Sequence, residues 1–151
     1  MMPDSGNLSL VRAAILCLIN RERSLAGERP LVPVVSLATA AQGHSEDMGF
    51  GDYFSHITPR GETPSARMRA TGYLKAGQAY EVGENIAFGT GWLATPQSIV
   101  AGWMASPGHR ANILDAGYRD TGIGVCAHPP TSLAGGGHGA VYTQDFGVTS
   151  G

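Results

Sequence analysis

The chain has little cysteine, little net charge and no long apolar run, and each shortage excludes a class of protein. Two cysteines with no CxxC pair argue against a structural zinc site of four nitrogen and sulfur ligands. A net charge of −2 over 151 residues gives no electrostatic footprint for nucleic acid. The apolar segment 10–19 is interrupted by Arg12 and is too short to cross a bilayer. We therefore expect no nucleic-acid partner and no transmembrane segment.

The two cysteines, Cys17 and Cys126, leave two interpretations open. A long-range disulfide would tie the first helix to a late strand, and it would imply an oxidising, extracytoplasmic location. The alternative is a pair of unpaired, buried thiols. We favour the disulfide as the prediction.

Apolar periodicity and turn residues predict a single domain over residues 7–149, after an N-terminal remnant or disordered segment at 1–6. On the first helix, the predicted buried stripe contains Val11, Ile15, Leu18 and Glu22. The predicted helices cover 8–25, 36–48, 64–70 and 95–106, and the predicted strands cover 80–88, 121–127 and 140–146. A Pro/Gly-rich loop at 128–139 is expected to connect the last two strands. Helices dominate early and strands late, which indicates an α+β layered domain.

Histidines supply the first candidate functional groups. His44 lies on the apolar side of the second predicted helix, and we expect it to line a core or a cleft wall. His128 and His138 flank the Gly/Pro-rich loop and are expected to be solvated. His56 and His109 each follow an element boundary, where functional groups are often mounted on a rigid scaffold.

Glu84 is the third candidate, because Gly83-Glu84-Asn85 places an acid directly before an apolar run. A carboxylate beside a buried strand should face a polar cavity, since its burial is costly without partners. Two imidazoles and a carboxylate suit zinc, with the carboxylate as ligand, orienting group or proton acceptor. The spacing matches no HExxH pattern, so the residues alone indicate a metal only weakly.

A serine hydrolase is a further possibility, because Ser106, His109 and Glu84 nominally compose a triad. However, Ser106 is three residues from His109, and no Gly-x-Ser-x-Gly elbow accompanies it. We expect the Ser106 hydroxyl to cap the following turn instead.

Five segments in a fixed order resemble one known family. The sequence is similar to the CAP superfamily, in its bacterial SCP-domain (PR-1-like) branch, over nearly the whole chain. The segments are Asn20-Arg21-Glu22-Arg23, Tyr53-Phe54-Ser55-His56, Gly83-Glu84-Asn85-Ile86-Ala87, residues 103–114 and residues 142–147.

The resemblance implies a three-layer α-β-α sandwich with a central antiparallel sheet, usually in a secreted protein. It also implies a cleft with two histidines and two acids that can hold a divalent cation. His56, Glu84 and His109 match three of these positions, and Ser106 stands where the second acid is usual. The missing acid predicts weaker metal affinity.

Three hypotheses follow. In the first, a secreted, monomeric binding domain holds a divalent cation, expected to be zinc, with His56, His109 and Glu84, while Ser106 and His44 line the cleft. Its extracellular ligand would be a lipid, peptide or cell-wall fragment. In the second, a metal-dependent hydrolase uses Glu84 as general base. In the third, the cleft residues satisfy one another's hydrogen bonds and have only a structural role.

Overall fold

The fold is seen in a computed structural model that describes residues 1–150. These residues form six helices and four strands, with a 3₁₀ turn at Gly91–Ala94. The helices are α1 (Leu8–Leu25), α2 (Val35–Gly51), α3 (Pro64–Ala70), α4 (Pro96–Ala105), α5 (Pro107–Ile113) and α6 (Thr131–Ala134). The strands are β1 (Val32–Pro33), β2 (Tyr80–Thr90), β3 (Asp120–Cys126) and β4 (Gly139–Thr149). Within residues 1–150, no helix has the length and apolar character needed to cross a membrane.

The four strands form one sheet in the order β1-β3-β4-β2. Strands β3, β4 and β2 pair antiparallel, and the short β1 joins the edge parallel to β3. The eleven-residue pairing of β2 with β4 places Glu84 directly opposite Asp145. Opposed residues share a face of the sheet, so these two carboxyl groups point into the same layer.

Helix α2 packs against one face of the sheet at very short range. A Cβ atom added to Gly122 or Gly124 would collide with the α2 backbone near Leu37 and Ala41. The helix also contacts β4, where the Ser45 hydroxyl of α2 lies 2.8 Å from the hydroxyl of Thr143. Glycine on β3 therefore sets how closely the helix that carries His44 approaches the sheet.

Helices α1, α4 and α5 cover the opposite face, which completes the predicted α-β-α sandwich. The buried stripe of α1 differs from the prediction: it is made by Val11, Ile15, Ile19 and Arg23. Steps of four residues keep these fully buried positions on one helical face. Leu18 is partly buried and packs against the same core, whereas Glu22 is partly exposed and does not belong to it. Arg23 is buried because its guanidinium donates at 2.8 Å to the carbonyl of Ile113, at the end of α5.

Helices α4 and α5 also reach the outer edge of β2. The Trp103 indole donates to the carbonyl of Ile86 at 3.1 Å, and the Asn112 amide lies 3.4 Å from the carbonyl of Glu84. Both carbonyls point away from β4, towards the side where no further strand pairs. The edge that carries Glu84 is thus covered by side chains from the helical layer.

The helix predicted over 95–106 ends close to the expected residue, at Ala105, but a further helix begins directly after it. Pro107 occupies the first position of α5, where its fixed φ suits a helix and its missing N–H is not needed. The loop at 128–139 contains α6, and the connector before α2 contributes β1. These short elements have too few residues to show a periodicity.

At the N-terminus, the segment before α1 contacts the start of the helix, because the Asn7 side-chain amide donates to the carbonyl of Met2 at 2.8 Å.

The predicted disulfide is not present. Cys17 and Cys126 are both free, with Cys17 exposed and Cys126 buried. Cys17 lies on the solvent side of α1, since the neighbouring buried positions are Ile15 and Ile19. Cys126 instead packs on the α2 face, in a cluster with Met48. The two thiols lie on opposite sides of the sheet, which is why the bond cannot form.

Candidate functional site

Glu84 is the centre of a buried polar network on the α2 face of the sheet. Its Oε1 lies 2.9 Å from Nδ1 of His56, and its Oε2 accepts from Nη2 of Arg67 at 2.7 Å. The Glu84 side chain is 2% exposed and that of Arg67 is 7% exposed, whereas that of His56 is 49% exposed. The network thus connects the buried Glu84–Arg67 ion pair to the half-exposed imidazole of His56.

Arg67 holds both the carboxylate and the loop that carries His56. Its Nη1 donates to the carbonyl of His56 at 2.9 Å and to that of Glu62 at 3.3 Å. It comes from α3, which begins at Pro64 as predicted and whose N-terminus is capped by the Thr63 hydroxyl. One guanidinium therefore fixes the position of His56 relative to Glu84.

Asp145 adds a second acid that the sequence analysis did not identify as part of the site. It is fully buried, and burial followed by the charge of Glu84 raises its pKa well above the usual value. Neither Asp145 oxygen has a partner in good hydrogen-bond geometry, although the carboxyl group interacts with Glu84 across the strand pair. Two acids this close do not both ionise readily, so Asp145 is the neutral member.

Glu84 is the ionised member of the pair. Burial alone would raise its pKa, but the hydrogen bond from His56, the interaction with the neighbouring Asp145 carboxyl group and the charge of Arg67 lower the pKa to about 2. The charge is therefore held at neutral pH by partners on both oxygens.

His44 lies behind Glu84 and has no solvent exposure. Its Nε2 donates to the carbonyl of Ser55 at 2.8 Å and lies 3.9 Å from Oε1 of Glu84. Burial lowers the pKa of His44, outweighing the opposite effect of Glu84. His44 is thus a neutral buried group that supports the loop before His56.

His109 approaches from the other helical layer, at the third residue of α5. Its Nδ1 lies 2.8 Å from the Ser106 hydroxyl, and its carbonyl accepts from the Asn85 amide at 3.0 Å. The predicted cap is wrong, because the Ser106 side chain makes no bond to the α5 backbone. Burial, and then the charge of His56, lowers the pKa of His109. His109 therefore lies close enough to His56 to be affected by its charge.

The structure joins His56 directly to Glu84, whereas His109 is joined to the network indirectly, through the side chain of Asn85, the next residue on β2. Over residues 1–150, no three histidine, cysteine, aspartate or glutamate side chains are grouped as a metal site. Both Nδ1 atoms have protein partners, which leaves the Nε2 atoms of His56 and His109 for an external ligand. The other two histidines lie elsewhere: His128 contacts Phe50, and His138 is exposed.

Sequence comparison places the chain in a family. The model of CAP, the cysteine-rich secretory protein family, matches residues 16–146. The chain belongs to the CAP family. The uncharacterized protein YkwD of Bacillus subtilis is 32% identical to this CAP domain over 142 residues, which are 93% of the chain. Those residues correspond to 48% of YkwD, so the domain spans about half the length of that relative.

Solved structures share the CAP fold. An extracellular SCP-domain protein of Bacillus anthracis superposes with a TM-score of 0.71 at 30% identity, covering 95% of this chain and 40% of that one. An outer surface protein of Borrelia burgdorferi gives a TM-score of 0.73 at 17% identity, covering 91% and 92% of the two chains. These matches confirm the predicted family and fold class.

Proposed function

We propose that this CAP domain acts outside the cytoplasm as a binding module that holds a divalent cation, zinc, between His56 and His109. Glu84 would orient His56 instead of binding the metal directly. The observation that carries the proposal is the pairing of each Nδ1 with a protein group, at 2.9 Å for His56 and 2.8 Å for His109. Such pairing fixes an imidazole for coordination through its other nitrogen.

His56 fits this role because its partner is an anion. The Glu84 carboxylate accepts from Nδ1–H, which leaves the lone pair on Nε2. The half-exposed ring presents that nitrogen at the surface, while Arg67 holds the carboxylate from behind. A carboxylate–histidine pair of this kind also raises the basicity of the ligating nitrogen.

His109 fits if its Nδ1–H donates to the Ser106 oxygen. Ser106 thereby takes an orienting role at the position where the family usually has its second acid. A hydroxyl orients the ring without adding negative charge, so we expect weaker zinc binding than in a cleft with both acids. Two imidazole ligands would leave coordination positions for water or for an atom of an extracellular ligand, which a bound zinc would polarise.

A groove beside His109 supports binding of a partly apolar ligand. It has a volume of about 460 Å³ and runs along β2 towards α4 and α6. Phe88, Leu93 and Ile99 supply apolar surface, while Ser106 and His109 lie at a polar part of the lining. This combination suits a lipid or a peptide with an apolar side chain.

The geometry argues against Glu84 as the general base of a hydrolase. An efficient base has a pKa near the working pH, whereas that of Glu84 is lowered to about 2. Its two oxygens are also engaged by His56 and Arg67. The Ser106–His109 contact does not complete a triad, because the glutamate contacts His56 instead.

An extracytoplasmic location is supported by the similar proteins. The Bacillus anthracis protein is described as extracellular, and the family is named for secretory proteins. Reduced, well-separated cysteines are compatible with this location, because the α-β-α core does not depend on a disulfide.

Zinc titration calorimetry tests the site. We expect His56→Ala and His109→Ala each to lower zinc affinity at least about tenfold, and Glu84→Gln to lower it about 10–100-fold through loss of orientation. His138→Ala is the matched control, because this exposed histidine lies outside the site. Unchanged affinity in both site-histidine variants, with their folds verified by circular dichroism, would refute the proposal.

A further inference from the structure

Three large apolar side chains are exposed beside the groove next to His109. Trp92 and Leu93 belong to the 3₁₀ turn and are 72% and 51% exposed, and Leu133, on α6, is 54% exposed. Leu93 and Leu133 both line the groove, and Trp92 precedes Leu93 in the chain. We call these three side chains the groove rim. Exposed apolar side chains around a groove are typical of a surface that meets a partner or a membrane.

The groove rim belongs to segments that are held by hydrogen bonds. The carbonyl of Trp92 accepts from the Thr95 hydroxyl at 2.9 Å, and the N–H of Gly91 donates to the carbonyl of His138 at 2.8 Å. The second bond joins the 3₁₀ turn to the loop that follows α6. Exposure of the rim is therefore a property of ordered segments and not of loose chain ends.

The groove and its rim carry no permanent charge. Residues 85–109 and 121–144 contain no aspartate, glutamate, lysine or arginine, and every residue that lines the groove comes from these two ranges. His109, whose pKa is lowered by burial, is the one titratable residue of the lining. The Asp52 carboxylate, which reaches α6, accepts hydrogen bonds from Ser132 at 2.9 Å. Charge complementarity therefore favours an uncharged or zwitterionic surface as the partner.

Two other occupants suit this face less well. An extended peptide needs free backbone groups, but the side chains of Trp103 and Asn112 already occupy outer carbonyls of β2. A stable interface between two copies buries about 800 Å² on each copy. The rim exposes roughly 350 Å² of apolar surface, if each side chain has about 150–250 Å² in total. This area is less than half of what a stable dimer needs.

A lipid bilayer meets these conditions. Tryptophan is favoured at the boundary between headgroups and acyl chains, because its ring is apolar and its N–H can still bond to water or to headgroups. Leucine side chains at the same depth bury apolar surface. An acyl chain needs no hydrogen bonds, so it suits a groove whose lining includes Phe88 and Ile99.

We propose that this face docks on the surface of a zwitterionic lipid bilayer through Trp92, Leu93 and Leu133, with the groove opening onto the acyl chains. The proposal rests on the ligand groove of the proposed function, and it identifies lipid as the class of ligand. It does not depend on the zinc site.

Co-sedimentation with phosphatidylcholine vesicles in EDTA tests the docking. We expect half of the chain to be bound at roughly 0.1 mM lipid, comparable to anchoring by one acyl chain. The triple variant Trp92→Ser/Leu93→Ser/Leu133→Ser should bind at least about tenfold more weakly. The matched control changes three apolar residues that are 65%, 74% and 82% exposed and lie outside the groove: Leu10→Ser/Leu25→Ser/Val35→Ser. We expect this control to bind vesicles like the original chain, with both folds verified by circular dichroism.

Fluorescence reports whether the rim itself enters the bilayer. The chain has two tryptophans, and Trp92 is 72% exposed whereas Trp103 is 2% exposed. Insertion moves Trp92 into apolar surroundings, so we expect its emission to shift to shorter wavelength when vesicles are added. Trp92→Phe should abolish the shift and keep most of the binding.

Several results would overturn the docking. They are no binding at about 10 mM lipid, equal losses in the rim and control variants, or no emission shift on binding. Binding that requires anionic phosphatidylglycerol and disappears in about 1 M salt would also overturn it. A rim-dependent dimer without vesicle binding would assign the rim to a second copy.

Failure of the docking and failure of the zinc site are separate results, because vesicle binding is measured in EDTA. A chain that binds zinc but not vesicles overturns the docking alone. A chain that binds vesicles through the rim but does not bind zinc supports the docking and refutes the zinc site.

Discussion

Replacing Arg67 with methionine removes the cation of the buried pair while keeping an unbranched apolar side chain. Glu84 would then be left with His56 and Asp145 in a site where its side chain is 2% exposed. The change also removes two hydrogen bonds to loop carbonyls. Breaking a buried pair on one side costs about 3–5 kcal/mol, since the remaining charge is uncompensated.

We expect Arg67→Met to lower the free energy of unfolding by that amount at pH 7, which urea unfolding followed by fluorescence measures. With an m-value of about 2 kcal/mol/M, the midpoint falls by roughly 2 M. The loss should be smaller near pH 4, because Arg67 is one of the groups that lower the pKa of Glu84, and without it the carboxyl group protonates more readily.

The double variant Arg67→Met/Glu84→Gln supplies the control. The glutamine side chain that replaces Glu84 carries no charge, so we expect the second substitution to restore most of the stability lost at pH 7. A loss below about 1 kcal/mol in the single variant, or no recovery in the double variant, would show that the pair is not the buried contact described here.

Two further predictions concern groups outside this pair. The pKa of Asp145 is higher in the folded state than in the unfolded state, so its protonated form favours folding. Stability is therefore lost as the pH rises from the pKa of the unfolded chain towards the pKa of the folded protein. Asparagine mimics the protonated form, so Asp145→Asn should gain stability relative to the original chain between about pH 4 and pH 7 in urea unfolding; a relative loss over that range contradicts a neutral Asp145. In the native protein, a thiol reagent should label Cys17 quickly and Cys126 only after unfolding; protection of both thiols would indicate the bond that the structure lacks.

The long elements of the fold were predictable because their patterns extend over many residues. The bounds of α1 and α3 match the prediction, and α4 begins within one residue of its predicted start at 95. The buried stripe of α1 was partly wrong, because a charged Arg23 can be buried only when distant carbonyls accept its hydrogen bonds. Those carbonyls lie about 90 residues further along the chain, where no local pattern reports them.

The sequence identified those residues of the candidate site whose polarity contrasts with their neighbours in the chain. Glu84 stood out as an acid in an apolar strand, and its contact with His56 agrees with a polar cavity. Arg67 and Asp145 were missed. An arginine on a short helix resembles any solvated charge, and the position of Asp145 opposite Glu84 depends on strand register. Asp145 could have been identified in the same way as Glu84, because it is an acid within the predicted strand at 140–146 and a buried carboxylate needs a partner.

The covering of β2 by Trp103 and Asn112 has a consequence for how the domain meets other chains. Their side chains occupy carbonyls to which an incoming strand would have to bond. At the other edge, β1 offers only two residues, one of which is Pro33 and has no N–H to give. Both edges of the sheet therefore disfavour pairing with a strand of another copy, which lowers the risk that the sheet is extended into a fibre.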